Sequence, residues 1–357
     1  MLQAACIALA LGAALAPIPP EIVERWFSTG VYPRIQHLLT PVSNVVPFAW
    51  LDLVIAVGAT TLVVALVRGV RAAWRERKPS ILLRTLGRIA GAAAVAYLAF
   101  LVLWGFNYRR VPMEQRLVLE RDAPTTEVVS GLGLQAVERL NALHADAHAA
   151  GWVEDPRQDA SLVKAFGGVQ RSLSDARPAA PGRLKRSALG TYFRWSGVDG
   201  MVNPYGLEVL ANPDLLPFER PFVAAHEWSH LAGYADESEA NFVGWLSCVR
   251  ADVSAQYSGW LYLCWQVNGE LGPEQRARLG AALAAGPRRD IEAIVDRLRR
   301  GQFPMLRTAS WLVYDQYLKA NRVEEGVRSY GAVVNLILRA RFDDRWTPVR
   351  RTEPAKP

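Results

Sequence analysis

The sequence predicts a mainly α-helical protein, with N-terminal membrane-spanning helices followed by an α+β domain that has a small antiparallel sheet and a helical C-terminal half. Three observations predict it. The first third of the chain carries three apolar runs. A stretch between residues 191 and 212 has short β-prone runs separated by turn residues. From Arg220 the apolar residues recur at helical spacing nearly to Arg341.

The first apolar run, Leu2 to about Ile18, resembles a signal-peptide core and is short for a span, but it lacks a basic segment before it. The second covers Leu51 to Val67 and the third Ile89 to Phe106. Each approaches the roughly 20 residues that cross a bilayer as a helix, and their Ala and Gly content suits close helix–helix contact in lipid. The loop between the second and third holds Arg68, Arg71, Arg75, Arg77, Lys78, Arg84 and Arg88 against Glu76 alone. By the positive-inside rule that loop is cytoplasmic, and everything after Phe106 lies outside the cytoplasm. The lipid bilayer is thus an expected partner. The net charge of +7 sits largely beside these runs, so membrane orientation accounts for it and nucleic-acid binding is not expected. The spans contain almost no ionisable groups, which argues against a transporter.

After this membrane region, residues 1–106, residues 107–125 read as a juxtamembrane linker. Residues 126–345 form the extracytoplasmic domain, and 346–357 a polar, disordered tail. Helical patterns cover about Thr126–Ala150 and Ala160–Ala176. The prolines and glycine between Arg177 and Lys185 mark a loop. Thr191–Trp195 and Leu207–Asn212 read as strands, the second being the edge along which an extended substrate would pair. Breaks in the later helices are expected near Gly233, Gly272-Pro273 and Pro304. Cys248 and Cys264 are expected to be buried thiols on adjacent helices, since spacing alone does not supply disulfide geometry.

The chemistry is concentrated in His226-Glu227-Trp228-Ser229-His230, an HExxH pattern in a chain with only five histidines. On a helix, positions i and i+4 share a face, so both imidazoles reach one Zn2+, and Glu227 stands beside the remaining coordination position as a general base. Apolar Phe222–Ala225 precede the motif and Gly233 follows it, where the helix would end and the chain turn back. Three acids lie within reach of that turn. Glu237 ranks first as third ligand, because Glu237-x-x-x-Asn241 resembles the ExxxD helix of thermolysin-type peptidases, with Asn241 replacing the Asp that bonds a ligand histidine. Glu239 ranks second. Asp236, at HExxHxxGxxD spacing, ranks third. A second i, i+4 pair, His144 and His148, has Ala145 where a catalytic Glu would stand and reads as a surface helix. Glu208 and Asn212 on the expected edge strand, and Tyr257 and Tyr330 as oxyanion donors, complete the candidate residues.

The HEWSH at 226–230, Gly233, the ESEANF from Glu237 to Phe242, the Asn203-Pro204 turn with Glu208 and Asn212, and the run Tyr314–Val334 resemble the domain of unknown function 3810 family, which looks like a set of membrane-anchored bacterial metallopeptidases. The resemblance covers most of the chain. It implies a zincin-like fold at the periplasmic face of the inner membrane, with His226, Glu227 and His230 in the usual roles and Glu237 and Glu239 framing the metal. Trp228 and Ser229 depart from the smaller apolar pairs common at those positions. The function expected is Glu-assisted, zinc-dependent hydrolysis of a peptide or protein. The alternative is a non-catalytic envelope protein that binds a peptide or protein partner through the same groove.

Overall fold

The computed structural model describes residues 2–120, 122–321, 332–344 and 346–351. Helix α1 (Leu2–Leu15) stops where Pro17, Pro19 and Pro20 remove backbone donors. Its 14 residues are too few to cross a bilayer alone, so the first apolar run is not a simple span. The chain continues through α2 (Pro20–Ile22) and a π-helical stretch, Val23–Val31, into α3 (Tyr32–Val45). The segment Pro20–Val45 is bent by 108° from α1. Helices α4 (Trp50–Glu76) and α5 (Pro79–Leu103) are long and apolar enough to cross a membrane, and the bent pair makes a third candidate if counted as one span. They join at Arg77, whose φ of 51° sets the left-handed cap, and at Pro79 in the first turn of α5.

Helix α3 is amphipathic inside out. It buries Tyr32, Gln36, Thr40 and Ser43, which lie on one stripe. Tyr32 Oη donates to Leu231 O, Gln36 Nε2 to Ala180 O and Thr40 Oγ1 to Leu207 O, each at 2.8 Å. The outward face carries Leu38, Val42 and Val45, which are 66%, 56% and 82% exposed. A helix facing water does the reverse.

The expected linker is not a tether. Its 3-10 turn (Gly105–Arg109) and α6 (Met113–Arg116) pack into the domain and bury Arg110, Met113 and Leu117. Arg110 Nη1 donates to Gly233 O at 2.9 Å, while its other nitrogens bond the Glu24 carboxylate. Arg109 donates to Ala13 O and Ala14 O, closing the C-terminal end of α1.

Helices α7 (Thr126–Ala150) and α8 (Ala160–Leu173) follow the expected pattern, capped by Thr125 and Asp159. The sheet has β1 (Leu184–Lys185), β2 (Gly200–Asn203) and β3 (Glu208–Ala211) in the order β1-β3-β2. It is mixed rather than antiparallel, because β1 runs parallel to β3. The expected strand at Thr191–Trp195 is instead helix α9 (Gly190–Ser196). Its aromatics favour strands, but the buried positions Phe193 and Ser196 are three apart, and Gly197 at φ 73° supplies the helical C-cap.

The C-terminal half runs through α10 (Arg220–Leu231), α11 (Glu237–Val249), α12 (Val253–Glu270), α13 (Pro273–Ala282), α14 (Ala285–Gly301), α15 (Pro304–Ala320) and α16 (Ala332–Arg339). Trp228, Trp245, Tyr257 and Phe166, from α10, α11, α12 and α8, are fully buried in the central core. Burial of each contributes about 1.5–3 kcal/mol or more. Cys248 and Cys264 are free thiols. The polar tail is attached as far as Arg351: Val118 N–H donates to Val349 O, and Arg350 pairs with Asp175.

Candidate metal centre

Local chain chemistry builds the site. Pro221 opens α10 at its first turn. At the other end Tyr234 N–H donates to Ser229 O and Gly233 N–H to His230 O, the two bonds of a Schellman motif. That motif needs a left-handed residue, and Gly233 supplies it at φ 85°. The turn brings Tyr234 O to 2.8 Å from His230 Nδ1. A carbonyl only accepts, so Nδ1 carries the proton and Nε2 is left as the ligand atom. Asp236 then caps α11 by accepting from the Ser238 and Glu239 amides. Glu237 is thereby fixed as the first residue of α11.

Glu237 Oε2 lies 3.4 Å from His226 Nε2 and 3.5 Å from His230 Nε2. Ligand atoms bonded tetrahedrally at about 2.0–2.1 Å stand roughly 3.4 Å apart, the separation of Glu237 Oε2 from each imidazole, and all three atoms lie within 4.8 Å of one another. Glu237 Oε2 and His226 Nδ1 are buried with no hydrogen-bond partner, so the oxygen's polar neighbours are the two imidazoles and its remaining valence could be met by a cation. Burial alone would lower the pKa of His230, but the adjoining Glu237 carboxylate overrides it and raises the value to about 9. Burial would raise Glu237, yet the two imidazoles hold it well below the usual carboxylate range.

Glu227 is buried beside this group, and its Oε2 has no partner. Burial pushes its pKa up to about 6, partly opposed by His226 and His230. Its neighbour across the cleft is β2. A Cβ on Gly200 would stand 2.4 Å from Glu227 Oε1, so only glycine lets the strand lie against that carboxylate.

Aromatic side chains close the site. Tyr314 of α15 donates its hydroxyl to Glu237 Oε1. Tyr262 of α12 stacks on Phe222 at 3.5 Å between centroids, and its hydroxyl is buried without a partner. Burial and the nearby Glu237 charge raise its pKa well above normal. Trp104, the residue after α5, donates its indole N–H to His230 O at 3.0 Å. Sequence reasoning missed Gly200, Tyr262, Tyr314 and Trp104, which no local spacing links to HExxH. Tyr314→Phe is expected to weaken zinc binding by about tenfold, the usual effect of losing such an outer partner, as measured by competition with a chromogenic chelator.

Other candidates lie elsewhere. Glu239 turns away to accept from Met113 N–H and pair with Arg116, and Asp236 is occupied as the α11 cap. Asn241 bonds neither histidine of the HExxH motif: His230 Nδ1 is taken by Tyr234 O, while His226 Nδ1 and Asn241 Nδ2 are both unpartnered. β3 is the central strand rather than an edge, so β2 is the edge beside the site. Glu208 is not on an edge, and its carboxylate is buried. It pairs with Lys185 at 2.8 Å and accepts from the amides of Trp50 and Leu51 at the start of α4. Asn212 donates to Val198 O. Tyr257 donates to Asp290, in a separate cluster with His144 and His148. Tyr330 lies outside the described residues.

A family model described as a protein of unknown function (DUF3810) matches residues 27–338. No curated protein and no solved structure matches the chain.

Proposed function

The chain belongs to the DUF3810 family, and we propose that it is a membrane-anchored, zinc-dependent peptidase of zincin-like fold. The observation that carries this reading is the convergence of His226 Nε2, His230 Nε2 and Glu237 Oε2 beside the unpartnered carboxylate of Glu227. Those three atoms would hold the ion. When bound, zinc acidifies water and polarises a carbonyl. Glu227, raised towards neutrality yet largely ionised at pH 7, takes the proton of the attacking water and returns it to the leaving amine. An extended substrate pairs with the free edge of β2, which brings its backbone past Glu227. Tyr262 offers a buried hydroxyl to developing negative charge.

The membrane reading rests on α4 and α5, the outward apolar face of α3, and the basic residues that cluster where α4 ends and α5 begins. By the positive-inside rule this basic end of the helix pair is proposed to be cytoplasmic, with the HExxH site on the periplasmic side of a bacterial inner membrane. Trp104 links the end of α5 to the HExxH helix through His230 O, which keeps the candidate site close to the apolar helices; the substrates proposed are peptides or proteins met at the membrane surface.

The test is cleavage of a peptide library by the full chain in detergent, with and without a chelator. Chelator-sensitive cleavage is expected. A zinc-loaded chain that cuts no peptide favours the non-catalytic envelope protein instead. Gly200→Ala is expected to lower turnover on the order of 10²-fold at unchanged zinc content, because the new methyl displaces Glu227.

A further inference from the structure

His144 and His148 stand one turn apart on α7, and Asp290 of α14 completes a cluster with them. Asp290 Oδ2 lies 2.8 Å from His148 Nε2 and 3.6 Å from His144 Nε2, and the two rings are 4.3 Å apart between centroids. Asp290 is buried, and among the described residues its ion-pair neighbours are these two imidazoles, with no Lys or Arg. Tyr257 of α12 donates its hydroxyl to the same oxygen at 2.5 Å. A Cβ on Gly286 would stand 2.6 Å from the His144 ring, so α14 approaches the ring this closely only because residue 286 is glycine.

We propose that His144, His148 and Asp290 form a second divalent-cation site, separate from the HExxH centre and independent of any catalysis there. Two imidazole nitrogens and one carboxylate oxygen suit zinc, cobalt or nickel, whereas calcium and magnesium want oxygen ligands. The 3.6 Å separation is close to the edge of a tetrahedron with bonds of about 2.0–2.2 Å. The 2.8 Å contact has to open by about 0.5–0.8 Å to reach that edge, a shift available to His148, whose side chain is 38% exposed. The same exposure gives the ion a way in and leaves water a coordination position. Tyr257 orients the carboxylate from behind, as outer partners of metal ligands do.

The ion would clip α14 to α7. The same α14 carries Arg297, which bonds Asp199 at 3.0 Å and Glu219 at 2.6 Å. Asp199 precedes β2 and Glu219 precedes α10, so the clip steadies the helix that holds the two elements flanking Glu227.

The test is zinc content of the full chain in detergent, dialysed against zinc alone and counted by mass spectrometry. His148→Ala removes a half-exposed ring, and Asp290→Asn keeps the shape and an acceptor for Tyr257. Each is expected to hold one zinc fewer per chain than the parent, while a loss at the HExxH centre would appear instead in His226→Ala. An unchanged count in His148→Ala overturns the proposal. So does a count that falls in His148→Ala but not in Asp290→Asn.

Discussion

Glu227→Gln is expected to lower peptide turnover by roughly 10²–10⁴-fold, the range lost with a general acid–base group, while zinc content stays at the parent level. The amide has nearly the volume of the carboxylate it replaces, so the packing of α10 against the core is kept. The three groups proposed to hold the ion are untouched, because Glu237, not Glu227, faces His226 and His230. What is lost is a base that burial has raised to about 6 and that no other described group duplicates at this position. Rate and metal content, measured on one preparation, separate the chemical role from a structural one. Cleavage within a few-fold of the parent would remove Glu227 from its role and leave the metal site intact.

Glu208→Gln is expected to destabilise the domain by about 3–5 kcal/mol, the cost of leaving one member of a buried ion pair unpaired. Lys185 and Glu208 have fully buried side chains. The carboxylate also accepts from Asn203 and from the first amides of α4, so one side chain ties the sheet to the long apolar helix α4. Burial alone would raise the pKa of Glu208, but Lys185 and these donors hold it below the usual carboxylate range. A depressed carboxylate stabilises the fold above its unfolded pKa and loses that contribution as pH falls through its folded value. The penalty of Glu208→Gln should therefore be full at pH 7 and shrink in acid. A thermal melt in detergent lower by roughly 10 °C at neutral pH is the readout; a melt within 2 °C of the parent would contradict the pairing.

Local signals carried well from sequence to structure. The apolar runs of α4 and α5, the capped helices α7 and α8, and the breaks at Gly233, Pro273 and Pro304 each depend on a few neighbouring residues. Within the site, the HExxH spacing and the glycine after it determine the turn that delivers Glu237. What stayed hidden depends on distant partners. Glu208 looked like a substrate contact because sequence does not reveal that Lys185 and the start of α4 claim it. The ranking of Glu237 over Glu239 and Asp236 rested on spacing alone; the cap at Asp236 and the amide of Met113, which set their directions, are tertiary contacts that spacing does not show. His144 and His148 looked like surface residues because Asp290 is far along the chain. Strand order was equally illegible, and it makes β2, not β3, the edge strand beside Glu227.

The central claim is that the imidazoles of His226 and His230, with Glu237, hold one divalent cation. Its most direct test is the zinc count of the His148→Ala chain, in which the other histidine pair is broken, before and after His226→Ala and His230→Ala are added. One zinc per chain that falls to none is the predicted result. An ion retained after both rings are gone would contradict it.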